Sequence, residues 1–280
     1  MPIRYPTAAF FFLLAPPALA QDSAAPAQQS STQQSSAQQS LAQQAKNPFA
    51  DLVNLQFIYD ATLRVGPAGD TEQVITIQPL IPFNLNPDWL VITRTILPLI
   101  SQPGLAAGQG TADGAGDTQF STFLSPAHPG SWVWGLGPVL QIPSATNSAL
   151  GQGKWGAGPT AGVQWTGTQW TFGALINNIW SFAGSANRAA VNQMQLEPEI
   201  NYTFRSNPNR YLSFMPTISA NWTAAGAERW TVPVSLGMGQ LVKFGAQSVN
   251  FQATTYYNVV TPADSPHWTL ELLVQFLFPH

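Results

Sequence analysis

The sequence predicts an all-β fold, a transmembrane antiparallel up-and-down β-barrel of about twelve strands, and three observations carry that prediction. Charged residues make up 8% of the 280-residue chain, against about 25% in soluble domains, so ions cannot clothe its exterior. Mean hydropathy is +0.00, and no run approaches the roughly 20 apolar residues of a membrane helix. A lipid-embedded chain lacking such runs satisfies its backbone only by closing a sheet on itself. Finally, ten residues separate Trp155 from Trp165, Trp170 from Trp180 and Trp268 from Phe278. Ten residues of strand rise about 33 Å, or roughly 25 Å along the membrane normal at a tilt of about 40°, the height of the apolar band between the aromatic girdles of an outer-membrane barrel. Because ten is even, both members of each pair lie on one face.

The N-terminus reads as an export signal over 1–20. Arg4 is the only charge before an apolar stretch over 8–15, and Ala18-Leu19-Ala20 supplies the small-x-small pattern that a signal peptidase cuts. Pro16-Pro17 interrupts the stretch, which argues against a retained anchor helix. Cleavage near Ala20 removes one of the 10 cations and takes the formal net charge from −3 to −4, a balance that gives no support to nucleic-acid binding. The chain has no cysteine, so disulfides and a lipid-modified N-terminus are excluded. Residues 21–46 form a Gln/Ser/Ala-rich leader. In it Gln28-Gln29-Ser30-Ser31-Thr32 recurs as Gln33-Gln34-Ser35-Ser36-Ala37 and Gln38-Gln39-Ser40-Leu41-Ala42. It carries too little apolar surface to offset ordering. It reads as a flexible periplasmic segment, or alternatively as a short helix near 41–45 that touches the barrel mouth.

The barrel is assigned to 47–280. Period-two segments bounded by Gly, Pro, Asn, Asp and Ser place strands at about 53–65, 72–83, 88–101, 116–125, 131–143, 155–165, 169–181, 191–204, 211–222, 228–243, 248–260 and 267–278. Alternate connections at 84–87, 126–130, 166–168, 205–209 and 245–247 are short, whereas 102–115, 144–154 and 183–190 are long. Short periplasmic turns and long outer loops give this asymmetry. Parity then assigns faces. Over 191–204, Met194, Leu196, Pro198, Ile200, Tyr202 and Phe204 oppose Gln193, Gln195, Glu197, Glu199, Asn201 and Thr203. The last two strands alternate in the same way. The polar face is expected to line a watery lumen. Pro79, Pro98, Pro138, Pro159, Pro198, Pro216 and Pro233 fall inside these strands, where each removes a ladder donor; bulges are the expected remedy.

Inward parity and mid-strand height coincide for Asp60, Arg94, Glu197, Glu199 and Glu271, with Gln195 and Tyr256 on the same face. A ring of twelve strands spaced about 4.8 Å apart and tilted about 40° has a backbone diameter near 24 Å. Arg94 then faces Glu197 and Glu199 across the lumen. Two compatible readings follow: charges that brace the wall by pairing, or a selectivity constriction. Met215 and Phe123 also point inward with Tyr256, suiting apolar or aromatic solutes or simply filling space.

Other motifs carry less. Gly108, Gly110, Gly114 and Gly116 lack the Lys-Ser/Thr and following helix of a phosphate loop, and read as an outer loop. Asp113 and Asp117 in that loop are weak ligands for Ca²⁺ or for ions bridging lipopolysaccharide, so no metal or cofactor is expected. An outer-membrane lipid hydrolase would need a His beside a Ser nucleophile. The candidates are His128 in a periplasmic turn, the terminal His280, and His267 near Ser265 at the outer rim.

Several stretches resemble the meta-pathway phenol-degradation family of Gram-negative outer-membrane proteins, some of whose members carry the label bacterial neuromedin U. They are IQPLIPFNLNPDW (77–89), TRTILPLISQP (93–103), GAGDTQFSTFLSP (114–126), GLGPVLQIPSAT (135–146), GQGKWGAGPT (151–160), WSFAG (180–184) and VPVSLGMGQLVKFG (232–245). The resemblance implies a transporter- or porin-like outer-membrane barrel that passes small, including aromatic, compounds. The expected partners are outer-membrane lipids and lipopolysaccharide, a small solute, and the barrel-assembly machinery. Phe278 departs from the usual ending in being followed by Pro279 and His280. A closed barrel with a structural or surface role and a soluble periplasmic β-domain are the alternatives.

Overall fold

Backbone pairing runs unbroken around a ring. The computed structural model describes residues 52–279; the signal-peptide, leader and His280 assignments lie outside the described residues. Fourteen strand segments follow in order. They are β1 (Leu52–Val65), β2 (Asp70–Asn86), β3 (Trp89–Gln102), β4 (Ala112–Ala115), β5 (Thr118–Pro126), β6 (Trp132–Ile142), β7 (Lys154–Thr166), β8 (Trp170–Gly184), β9 (Asn192–Phe204), β10 (Asn207–Phe214), β11 (Ile218–Asn221), β12 (Trp230–Phe244), β13 (Gln247–Val260) and β14 (Trp268–Pro279). Each pairs antiparallel with its neighbours, and β1 closes on β14 from Leu52 opposite Pro279 to Leu63 opposite Trp268. Because β4 and β5 both lie on β3, and β10 and β11 both lie between β9 and β12, each couple is one broken stave. The wall is therefore a closed barrel of twelve staves.

Two breaks depart from the expected strand bounds. The segment 102–115 reads as loop because Ala-Asp-Gly-Ala has little strand propensity, yet residues 112–115 pair with Leu99–Gln102 of β3. The stave then breaks at Gly116 and Asp117, where the Gly116 N–H bonds the Pro98 carbonyl. The Asp117 carboxylate accepts from the backbone N–H groups of Ala145 and Gln152, tying down the next loop. The turn expected at 205–209 is also tighter, because β10 already begins at Asn207.

Prolines mark several further interruptions of the ladders. Pro79 lies where the β2–β3 ladder skips from Ile77–Leu97 to Leu80–Arg94. Pro138 faces Pro159 across β6 and β7, and each borders a gap in its other ladder. Pro233 marks a register shift against β13. Pro216 sits in the break between β10 and β11, and the register on either side places it opposite Pro198 of β9. Each missing donor thus falls where the ladder is already interrupted, the accommodation that interior strand prolines require.

Strand parity separates two faces. Outward positions carry Trp132, Leu136, Phe182, Leu236 and Leu272, all more than half exposed. Inward positions carry the buried Asn54, Gln78, Gln141, Gln164, Asn201, Asn250 and Gln275. The burial is inverted relative to a water-soluble domain, in which polar groups face solvent. Two aromatic girdles band the outside. At the short-turn end, Trp165, Phe172, Trp170, Tyr202 and Phe204 form a chain with centroid spacings of 4.8–5.9 Å. At the long-loop end, Trp222 meets Trp230 at 5.5 Å and Tyr257 meets Trp268 at 4.9 Å.

One close approach fixes the inner wall. Gly239 lies opposite Tyr211, and a Cβ there would stand 2.2 Å from the Tyr211 ring. The ring lies over this glycine and reaches past β12 to β13. Its hydroxyl donates to Gln252 Oε1 at 2.9 Å and accepts from Asn250 Nδ2 at 2.9 Å. Gly239→Val should displace the ring and lower stability by about 1–3 kcal/mol, measured as an earlier loss of the compact, heat-modifiable band on gels.

Candidate functional site

The enclosed lumen gathers the chain's unusual chemistry, and its two halves differ. Near the short-turn end, Leu90 and Ile92 of β3, Phe123 of β5, Val133 of β6 and Leu175 of β8 pack into an apolar cluster inside the barrel. At 1–2% exposure, Leu90, Ile92 and Phe123 fill this sector completely. Sequence parity marks Phe123 as inward, but the meeting of four separate staves has no signal in a single strand.

Above this cluster a cavity of about 210 Å³ occupies the middle of the barrel. Arg94 crosses part of it, with Nη2 3.6 Å from Glu197 Oε1. β3 and β9 are five steps apart around the ring, so the pair is a bar across the lumen and not a neighbour contact. The two side chains retain 15% and 21% exposure, enough hydration to soften the desolvation cost of an ion pair. Glu199, two residues along the same face, is held differently. It accepts from Asn201 Nδ2 and from Gln164 Nε2. The two carboxylates therefore have separate partners despite their adjacency.

The opposite wall presents a second acidic group. Glu271 of β14 lies opposite Asp60 of β1 on one side and Thr254 of β13 on the other. Tyr256 donates to Glu271 Oε2 at 3.0 Å. Gln195 sits higher on β9 and accepts from Asn177 Nδ2 at 3.3 Å. The lumen thus joins Arg94 to Glu197 and Tyr256 to Glu271, while Gln195 belongs to a separate amide pair. Glu72 on β2 has the same inward parity as Gln78, a signal available in the sequence that the candidate set lacks. Tyr211 is likewise missing from that set, although its parity within the ninth stave points inward.

Trp155, Trp180 and Trp268 stand on the outer face at the long-loop end, and Trp165, Trp170 and Phe278 at the short-turn end. At the long-loop end, Asp113 of β4 accepts from Ser101 Oγ at 2.6 Å, and Asp117 is spent on backbone N–H groups. Arg188 donates to the carbonyls of Ser148 and Gly151, bracing two long loops together. His267 Nδ1 bonds the Asn258 carbonyl at 2.9 Å, and its ring stacks on Tyr257. Both roles tie this histidine to the girdle.

No family model matches the chain, and no curated protein matches its sequence. The short stretches that resemble the phenol-degradation family therefore have no wider match behind them. Solved structures do match. An outer-membrane channel from Pseudomonas putida F1 is similar at 15% identity with a TM-score of 0.63, over 82% of this chain and 96% of that one. The NanC porin is similar at 9% identity with a TM-score of 0.51, over 81% of this chain and 98% of that one. At such identities the likeness is one of architecture, and the architecture shared is the closed barrel.

Proposed function

We propose that the chain is an outer-membrane channel through which small solutes diffuse passively, with the Arg94–Glu197 bar and the apolar cluster beneath it setting the constriction. One observation carries the reading: the wall is apolar where it meets the exterior and amide- and carboxylate-rich where it encloses a central cavity. A sheet with no open edge and a greasy outer face is suited to hydrocarbon. A polar lumen with charged side chains at its narrow part can sort what passes. The likeness to an outer-membrane channel and to a porin supports the same reading. On it, the two girdles sit at the lipid and lipopolysaccharide headgroups, the short-turn end faces the periplasm, and Phe278 serves recognition by the barrel-assembly machinery. The cavity also has apolar lining from Ile58, Leu80, Met215 and Leu273 beside Tyr256. This favours solutes with an apolar or aromatic part.

Purified protein in planar bilayers should show stepwise conductance. Arg94→Ala removes the positive charge of the bar. A unit charge at about 4 Å is worth about 1 kcal/mol in water, so the preference for cations over anions should rise about fivefold. Glu197→Gln combined with Glu199→Gln should move the preference the other way. A silent bilayer would remove the channel reading and leave a closed barrel with a structural or surface role.

A further inference from the structure

The cations at the short-turn end have no anions beside them. Arg205 in the β9–β10 turn, Arg210 on β10 and Lys243 near the end of β12 gather there on neighbouring staves. Among the described residues, the only carboxylate in the turns of this end is Asp88, between β2 and β3. It belongs to the other side of the ring, since β3 and β9 are five steps apart. Arg205 and Arg210 are both exposed, and neither has a carboxylate within ion-pair distance among the described residues.

Amides hold the two guanidiniums in place instead. Arg210 Nε and Nη2 donate to Gln240 Oε1 at 3.2 and 2.9 Å, and Gln240 is the register partner of Arg210 on β12. That contact uses one edge of the planar fork and leaves the edge carrying Nη1 for another acceptor. Arg205 Nε donates to Gln169 Oε1 at 2.7 Å, which leaves both of its Nη groups. Gln169 Nε2 in turn donates to the Tyr202 hydroxyl at 3.2 Å. A neutral amide orients a cation without cancelling its charge. Each arginine therefore presents oriented N–H groups and a full positive charge.

Their place on the wall decides what they meet. Tyr211 is buried inside the barrel, so Arg210 beside it and its partner Gln240 point outward. One outward position closer to the long-loop end, the same two strands pair Leu212 with Met238. The change from Leu and Met to Arg and Gln marks the lower edge of the apolar band. Arg205 is tied through Gln169 to Tyr202, whose ring meets Trp170 at 4.8 Å in the girdle. Aromatic girdles lie at headgroup level. There the anion at hand is a lipid phosphate, and a guanidinium edge matches two of its oxygens.

We propose that Arg205 and Arg210 dock the headgroup phosphate of an anionic phospholipid on the outside of the barrel at the short-turn end. Lys243 adds to the positive field, and the acyl chains lie along Leu212 and Met238. The inference rests on the reading of the barrel as membrane-embedded with its short turns toward the periplasm.

The test is native mass spectrometry of the full, folded protein in nonionic detergent, titrated with phosphatidylglycerol or phosphatidylcholine carrying the same acyl chains. One Lys or Arg near an anionic headgroup is worth about fivefold in affinity, so phosphatidylglycerol should bind at least about fivefold more tightly. Arg205→Gln and Arg210→Gln should each narrow that preference, and together they should abolish it while leaving phosphatidylcholine binding as it was. The single changes serve where the double variant fails to fold. Lys154→Gln combined with Arg229→Gln, at the long-loop end, should leave the preference intact. Equal binding of the two lipids by the unaltered protein, a preference that survives the arginine changes, or one lost equally in the long-loop variant overturns the proposal. Soluble glycerol phosphate that competes as well as the lipid also overturns it, because the site would then be one for free phosphate. Conductance is measured separately in planar bilayers. A lipid preference without conductance sinks the channel and spares the lipid site, and conductance without a preference does the reverse.

Discussion

Everything in this structure depends on the hydrogen-bond ladder between β1 and β14. Without it the sheet would present two rows of unpaired N–H and C=O groups, each costing several kcal/mol in hydrocarbon. With it, the backbone needs nothing from its surroundings, and the side chains on the two faces are free to serve different media. The ladder extends the full length of β14, from Leu52 opposite Pro279 to Leu63 opposite Trp268. Its register also puts Asp60 beside Glu271. Closure and the acidity of the lumen are thus set by the same strand pairing.

The rest of the wall shows how much irregularity a closed ladder tolerates. Pro79, Pro138, Pro159, Pro198 and Pro233 fall at skips, shifts or breaks, and the N–H that each lacks is one that a neighbouring stave does not call for. The seam of β9, the broken stave β10/β11 and β12 concentrates three prolines, Pro198, Pro216 and Pro233. Met215, inside that break, recovers a bond by donating its N–H to Ser235 Oγ at 2.9 Å. Gly239 makes the opposite kind of concession: by having no side chain it lets Tyr211 span a stave and bind Asn250 and Gln252 together. Small and donor-less residues therefore shape the interior as much as the polar ones do.

Much of the architecture is legible in the sequence because strand parity is a strict rule. Gln193, Gln195, Glu197 and Glu199 share a face in any strand that holds them, and the even spacing of Trp155 and Trp165 survives any error in strand ends. The breaks are less legible. Ala112–Ala115 has no alternation of its own, and only the presence of β3 makes it a strand. The placement of Arg94 near Glu197 follows from counting staves, but its distance does not, because reach across a lumen depends on side-chain rotamers. The apolar cluster of Leu90, Ile92, Phe123, Val133 and Leu175 was hidden for a related reason. Each member is an ordinary inward aliphatic or aromatic residue, and the convergence of four strands on one cluster is a property of the ring.

The central claim is that one face of every stave meets lipid and the other meets the aqueous lumen. The chain has no cysteine, so single cysteines can be placed along β9 and treated, in the folded and membrane-inserted protein, with a charged thiol reagent that does not enter lipid. The account predicts labelling at 193, 195, 197 and 199 and protection at 194, 196 and 200. Labelling on both faces, or protection of the odd positions with reaction at the even ones, would contradict it.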